Sequence, residues 1–219
     1  MTDNRMSGLA LLAGQAGLLL TLSLHPSGSI SLAQIDVMAH KLVAVHSIAL
    51  AALPFMLLGA LGLSWALSSP NRLGIVAFVF YGFAIAAMLS GILVDGLVTP
   101  SIMRQVAASP AASDAWRMIF RYNGFLDMAF VHVSLVASAV AIVIWSVAIL
   151  RSAMLSHRVG VYGVILGAMI PVAVFSGILG SEHAISGLVF GQMTWFVIVG
   201  VMLFRLPNQE IAVAPSAAT

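Results

Sequence analysis

The chain reads as an all-α, polytopic integral membrane protein, a bundle of six transmembrane helices, and three observations carry that reading. Of 219 residues, 61% are hydrophobic and only 7% are charged, where an ordinary soluble domain carries roughly a quarter charged. The mean hydropathy is +1.10. Several apolar runs reach the roughly 18 residues that a helix needs to cross the hydrocarbon of a bilayer. Nine basic and seven acidic side chains could not clothe a soluble core of this length in polar surface.

The spans expected, in order, are 8–25, 41–66, 73–98, 124–150, 159–180 and 185–206, each long enough to cover about 30 Å as a helix. Together they make one transmembrane domain over 1–206. The first segment has the outline of a signal peptide, with Arg5 before an apolar run from Gly8. Ser23-Leu24-His25-Pro26 is a poor small-x-small cleavage site, so the segment is read as a retained span. His25-Pro26-Ser27-Gly28 ends it, and Ser68-Ser69-Pro70-Asn71 turns between the second span and the third. Thr99-Pro100 is expected to close the third span. In the connection that follows, Trp116, Ile119 and Phe120 share one face of a helix over 113–121 capped by Ser113, while Arg117 and Arg121 share another. That is the pattern of a helix lying in the lipid interface. Gly180-Ser181-Glu182-His183 makes a hairpin before the last span, and 207–219 is expected to be a disordered tail.

Shifting the chain by 86 residues lays His46 on His132, Arg72 on Arg158, Gly74 on Gly160, and Ser90-Gly91-Ile92-Leu93 on Ser176-Gly177-Ile178-Leu179. Spans two and three would then recur, in parallel, as spans four and five, related by an axis along the membrane normal. Gly163 and Gly167, and Gly187 and Gly191, form GxxxG pairs that let helices approach closely. Such faces could also join copies of the chain into a homo-oligomer. Pro54 and Pro171 fall inside spans and should bend them.

Lys and Arg counts favour a cytoplasmic N-terminus, with Arg5, Arg72, Arg151, Arg158 and Arg205 inside and Lys41, Arg104, Arg117 and Arg121 outside. The expected location is a bacterial inner membrane.

The scarce ionisable residues gather at one membrane face: His25, Asp36, His40, His46, Asp95, Asp127, His132, Glu182 and His183. Such groups in or near hydrocarbon are costly and tend to pair or to work. Under the repeat, His46 and His132 lie at similar depth and face each other. Two opposed imidazoles suit axial ligation of haem b. They also suit a divalent transition metal completed by Asp95 and His183. Asp36 and His40 read as a local pair at the water boundary, His25 as a solvated span end, and Asp127 as a partner of Arg121 or Lys41. Gln15 and Gln192 lie deeper, where amides bridge helices.

With no cysteine there is no disulfide, thiolate ligand or Cys nucleophile. A formal net charge of +2 gives no case for nucleic acid. There is no phosphate loop and no GxSxG elbow. The leading reading is a membrane protein with a His/Asp-lined site near the outer leaflet, binding haem or a metal ion. The alternatives are a small-solute or proton-coupled transporter, an intramembrane enzyme acting on a lipid or isoprenoid, and an assembly subunit. The small-molecule ligand is not specified by any motif.

Overall fold

The computed structural model describes residues 3–26, 34–68, 72–108, 113–152, 154–176 and 182–206, with the side chains of residues 113 and 182–184 outside the description. The tail 207–219 and the imidazole of His183 thus lie outside the described residues. The helices are α1 (Asn4–Leu24), α2 (Ile35–Leu67), α3 (Leu73–Leu93), α4 (Thr99–Ala108), α5 (Ser113–Arg151), α6 (His157–Phe175) and α7 (Glu182–Arg205). Six helical stretches are long and apolar enough to cross a membrane. No strand occurs among the described residues.

Local chemistry explains most helix ends. Asp3 caps α1 by accepting the Arg5 N–H at 2.8 Å. At the other end, Pro26 forces the residue before it out of the helical region, and His25 sits at φ −60°, ψ 127°. α2 starts at Ile35, earlier than the expected 41, and places Asp36 in its first turn, where an anion suits the helix dipole. The His40 ring does not meet the Asp36 carboxylate. Its Nδ1 donates to the Asp36 backbone carbonyl at 2.7 Å.

Thr99-Pro100 does not close the third span. The chain passes from α3 through a π-helical turn, Val94–Val98, directly into α4. Proline is tolerated in the first turn of a helix, where its missing N–H is unneeded. The wider turn upstream absorbs the ring, and both the Thr99 N–H and its hydroxyl reach the Val94 carbonyl. Nor does 113–121 form a separate helix. It is continuous with the fourth span in the 39-residue α5. Asn123, at the expected break, is buried and donates from its amide to the Thr99 hydroxyl, tying α5 to α4.

The spans are arranged as a ring in which each touches its sequence neighbours: α1, α2, α3, α5, α6, α7 and back to α1. Gly14 lies on Met56, Gly17 on Ala52, and Gly59 on Leu11. Numbers rise on one helix as they fall on the other, so α1 and α2 run antiparallel. Gly8 lies on Phe204 while Gly200 lies on Leu12, which makes α1 and α7 antiparallel too. Of the GxxxG glycines, Gly163 meets Ser146 and Trp195, Gly167 meets Val143, and Gly191 meets Leu166. Three of the four are therefore filled within the chain.

Large apolar side chains such as Val79, Phe83, Val172 and Phe175 point outward, as lipid-facing residues do. Inside the ring, Tyr81, Trp145, Trp195 and Phe196 stack with centroid separations of 5.1 to 6.1 Å. Trp145 donates to the Ser64 hydroxyl at 3.0 Å and Trp195 to the Val159 carbonyl at 3.3 Å. The buried indole N–H groups are thus satisfied, as dry surroundings require. Of the residues matched by the 86-residue offset, Gly74 packs on Ser64 of α2 and Gly160 on Leu150 of α5, an equivalent pair. His46 and His132, by contrast, do not share surroundings, as described below.

Candidate functional site

Three segments bring His25, His46 and Asp95 together. Pro26 holds His25 in extended backbone at the end of α1, so its ring leaves the helix line. His46 lies on the ring-facing side of α2. Asp95 sits in the π turn, where the extra residue rotates side chains away from regular helical register. Gly96, beside it, allows the turn to close onto α2: a Cβ there would meet the Cβ and Cγ of His46.

Asp95 Oδ2 lies 3.1 Å from His25 Nε2 and 3.2 Å from His46 Nε2. The two rings meet edge to face, with centroids 5.3 Å apart and an interplanar angle of 79°. One donor atom from each of the three residues falls within 4.8 Å of the other two. His46 Nδ1 donates to the Leu42 carbonyl at 2.8 Å. That bond orients the ring and assigns its first proton to Nδ1, leaving Nε2 to face the carboxylate. Side-chain exposure falls from 40% at His25 through 25% at Asp95 to 10% at His46. The cluster therefore stands at a mouth, with His25 outermost.

Below it, a cavity of about 300 Å³ runs into the ring. Its walls come from α1, α2, α3, α5 and α7, and they are mainly apolar, including Met56, Ile85, Met88, Val189 and Phe196. Asp127 also lines it and makes no ion pair with Arg121 or Lys41 among the described residues. Gln192 bridges helices as expected, accepting from Ser138 at 2.8 Å and donating to the Leu135 carbonyl at 3.1 Å.

No family model matches the chain, and no curated protein or solved structure matches it. The site must therefore be read from its own chemistry.

Of the four residues expected to bind a cofactor or metal, the structure brings His46 and Asp95 together. His132 neither joins them nor lines the cavity. Its Nε2 is buried without a hydrogen-bond partner among the described residues. His183 has its side chain outside the described residues. The residue that the sequence reading left out is His25. Its signal was available: a pre-proline imidazole at the same membrane end as His46 and Asp95.

The close approach at Gly96 gives a direct prediction. Gly96→Ala should push the π turn off α2 and break the His46–Asp95 contact, while the apolar packing elsewhere keeps the fold. A structure of the variant checks this: the two side chains, 3.2 Å apart in the wild type, are expected to be parted. An unchanged separation in the alanine variant would show that the contact has slack.

Proposed function

We propose that this is a multi-pass protein of the bacterial inner membrane that holds one divalent transition-metal ion at His25, His46 and Asp95. The ion's remaining coordination positions face the internal cavity, and the N-terminus lies in the cytoplasm, which puts the mouth near the outer leaflet. The observation that carries this reading is the convergence of two imidazole Nε2 atoms on one carboxylate oxygen. With Nδ1 of His46 committed to Leu42, a neutral ring aims a lone pair at Asp95 Oδ2 at 3.2 Å. A neutral ring would set two acceptors face to face, a conflict relieved either by a proton on Nε2 or by a metal ion between the two atoms. Bonds of about 2.0–2.2 Å to a tetrahedral ion set ligand atoms about 3.3–3.5 Å apart, close to the 3.1 and 3.2 Å observed. Two histidines and one carboxylate suit zinc or ferrous iron with open positions. An ion so placed supplies Lewis acidity or an activated water.

Haem fits less well. Axial ligands need a porphyrin plane between them, whereas His25 and His46 meet edge to face around one oxygen, and His132 is not at the cavity. A transporter needs access from both faces in turn. The stack of Tyr81, Trp145, Trp195 and Phe196 fills the ring's centre with side chains almost wholly shielded from solvent, which weighs against that alternative.

The test is a metal titration. Chelator-stripped protein dialysed against zinc should regain one ion per chain. His25→Ala and His46→Ala should lose it, and His132→Ala should keep it. A folded wild-type protein that binds no ion, or a loss confined to His132→Ala, would overturn the proposal.

A further inference from the structure

Gln15 and Tyr81 are polar groups placed at the cavity with nothing to bond. Gln15 is 2% exposed and Tyr81 1%. Both line the cavity. Both heteroatoms of the Gln15 amide, and the Tyr81 hydroxyl, find no hydrogen-bond partner among the described residues. Gln192 offers the contrast: its amide is fully engaged between α7 and α5. An unmade hydrogen bond in a dry interior is expensive, and both residues line one cavity, so an occupant that bonds them would relieve that cost.

The spacing says where they act. Gln15 precedes His25 by enough residues to lie roughly 15 Å down the ring, and Tyr81 lies roughly 20 Å from Asp95 by the same rise. The polar groups are thus at the inner end of the cavity, remote from the His/Asp mouth. The walls are mainly apolar, with Thr21, Ser134 and Ser138 among the polar exceptions. Gln15 and Tyr81 are both neutral, and each can donate and accept. A charged group would find no counter-ion at that end among the residues lining it.

We propose that the inner end of the cavity binds the oxygen-bearing end of a neutral, mostly apolar molecule, of the class of long-chain alcohols and ketones, with its oxygen held by Gln15 and Tyr81. The hydroxyl or carbonyl oxygen takes the hydrogen bonds that the chain leaves open, and the hydrocarbon lies against Met56, Ile85 and Met88. This site goes beyond the metal reading and does not need an ion at the mouth.

The experiment uses the whole protein in phosphatidylcholine nanodiscs, with 1-decanol, 2-decanone and n-decane as probes and the thermal midpoint as readout. A ligand that binds the native state raises the midpoint in proportion to its affinity. Wild-type protein should respond saturably to decanol and decanone at concentrations about tenfold below those for decane, the gain expected from satisfying a buried group. Gln15→Leu and Tyr81→Phe should lose that advantage while still responding to decane. Tyr81→Phe keeps the ring and its packing, so it carries the test alone if Gln15→Leu does not fold. Equal responses to all three probes in the wild type, or an advantage that survives both substitutions, would overturn the proposal. Repeating the titration after chelation separates the two sites: an alcohol preference that persists without bound metal supports this site whatever the fate of the other.

Discussion

Asp95→Ala is expected to abolish stoichiometric metal binding, with a larger loss than the ~10–100-fold that disturbed supporting contacts cost. Asp95 Oδ2 is the atom that both imidazoles share, at 3.1 and 3.2 Å. Without it two neutral nitrogens remain, and the charge that offsets a divalent ion in a low-dielectric mouth is gone. Asp95→Asn separates charge from shape, since the amide fills the same space yet is a weak ligand. It too should lose the ion. Asp127→Asn provides the control, because Asp127 lines the same cavity outside the ligand set. It should bind normally. Affinity should also fall as pH is lowered, because an imidazole must give up its proton to bind a metal. Dialysis with elemental analysis at two pH values checks all of this. Wild-type stoichiometry in Asp95→Ala would remove the carboxylate from the site.

How much of this could be seen in the sequence depends on what kind of signal each element carries. The six spans are written as long apolar runs, and length alone identifies them. Asp95 stood out because a carboxylate within Ile92-Leu93-Val94-Asp95-Gly96-Leu97-Val98 cannot be ignored by its surroundings. Rotation about the helix axis is another matter. A helix that is apolar nearly all round offers no polar face to show which side turns inward. His46 and His132 therefore look equivalent by depth, yet one faces the cavity and the other does not. The same ambiguity hid the difference between Gln192, which bridges two helices, and Gln15, which does not. His25 was concealed by a correct rule used too broadly. Pro26 does end the helix, but the extended backbone it imposes turns the imidazole toward Asp95 instead of leaving it in solvent. Pro100 misled in the opposite direction, because a π turn before it lets the helix continue. That turn is also what presents Asp95.

Trp145→Ala should be the most destabilising single change in the bundle, at about 3–5 kcal/mol. The side chain is fully buried and contacts Tyr81, Trp195 and Phe196, with centroids 5.3 to 6.1 Å away. In a bilayer the hydrophobic effect adds little between helices, so stability rests on such close packing and on interhelical hydrogen bonds. Truncation removes both, since the indole N–H that donates to Ser64 across to α2 is lost with the ring. Trp145→Phe apportions the two contributions. It keeps most of the stack and gives up the hydrogen bond, which should cost about 1 kcal/mol beyond the smaller ring. Trp65→Ala is the reference, because Trp65 is 61% exposed and should change stability little. Thermal unfolding of the three variants in one detergent ranks them. If Trp145→Ala unfolds together with Trp65→Ala, the aromatic stack does not support the ring. In that case the inner wall of the cavity, where Tyr81 leans on Trp145, is looser than its geometry implies.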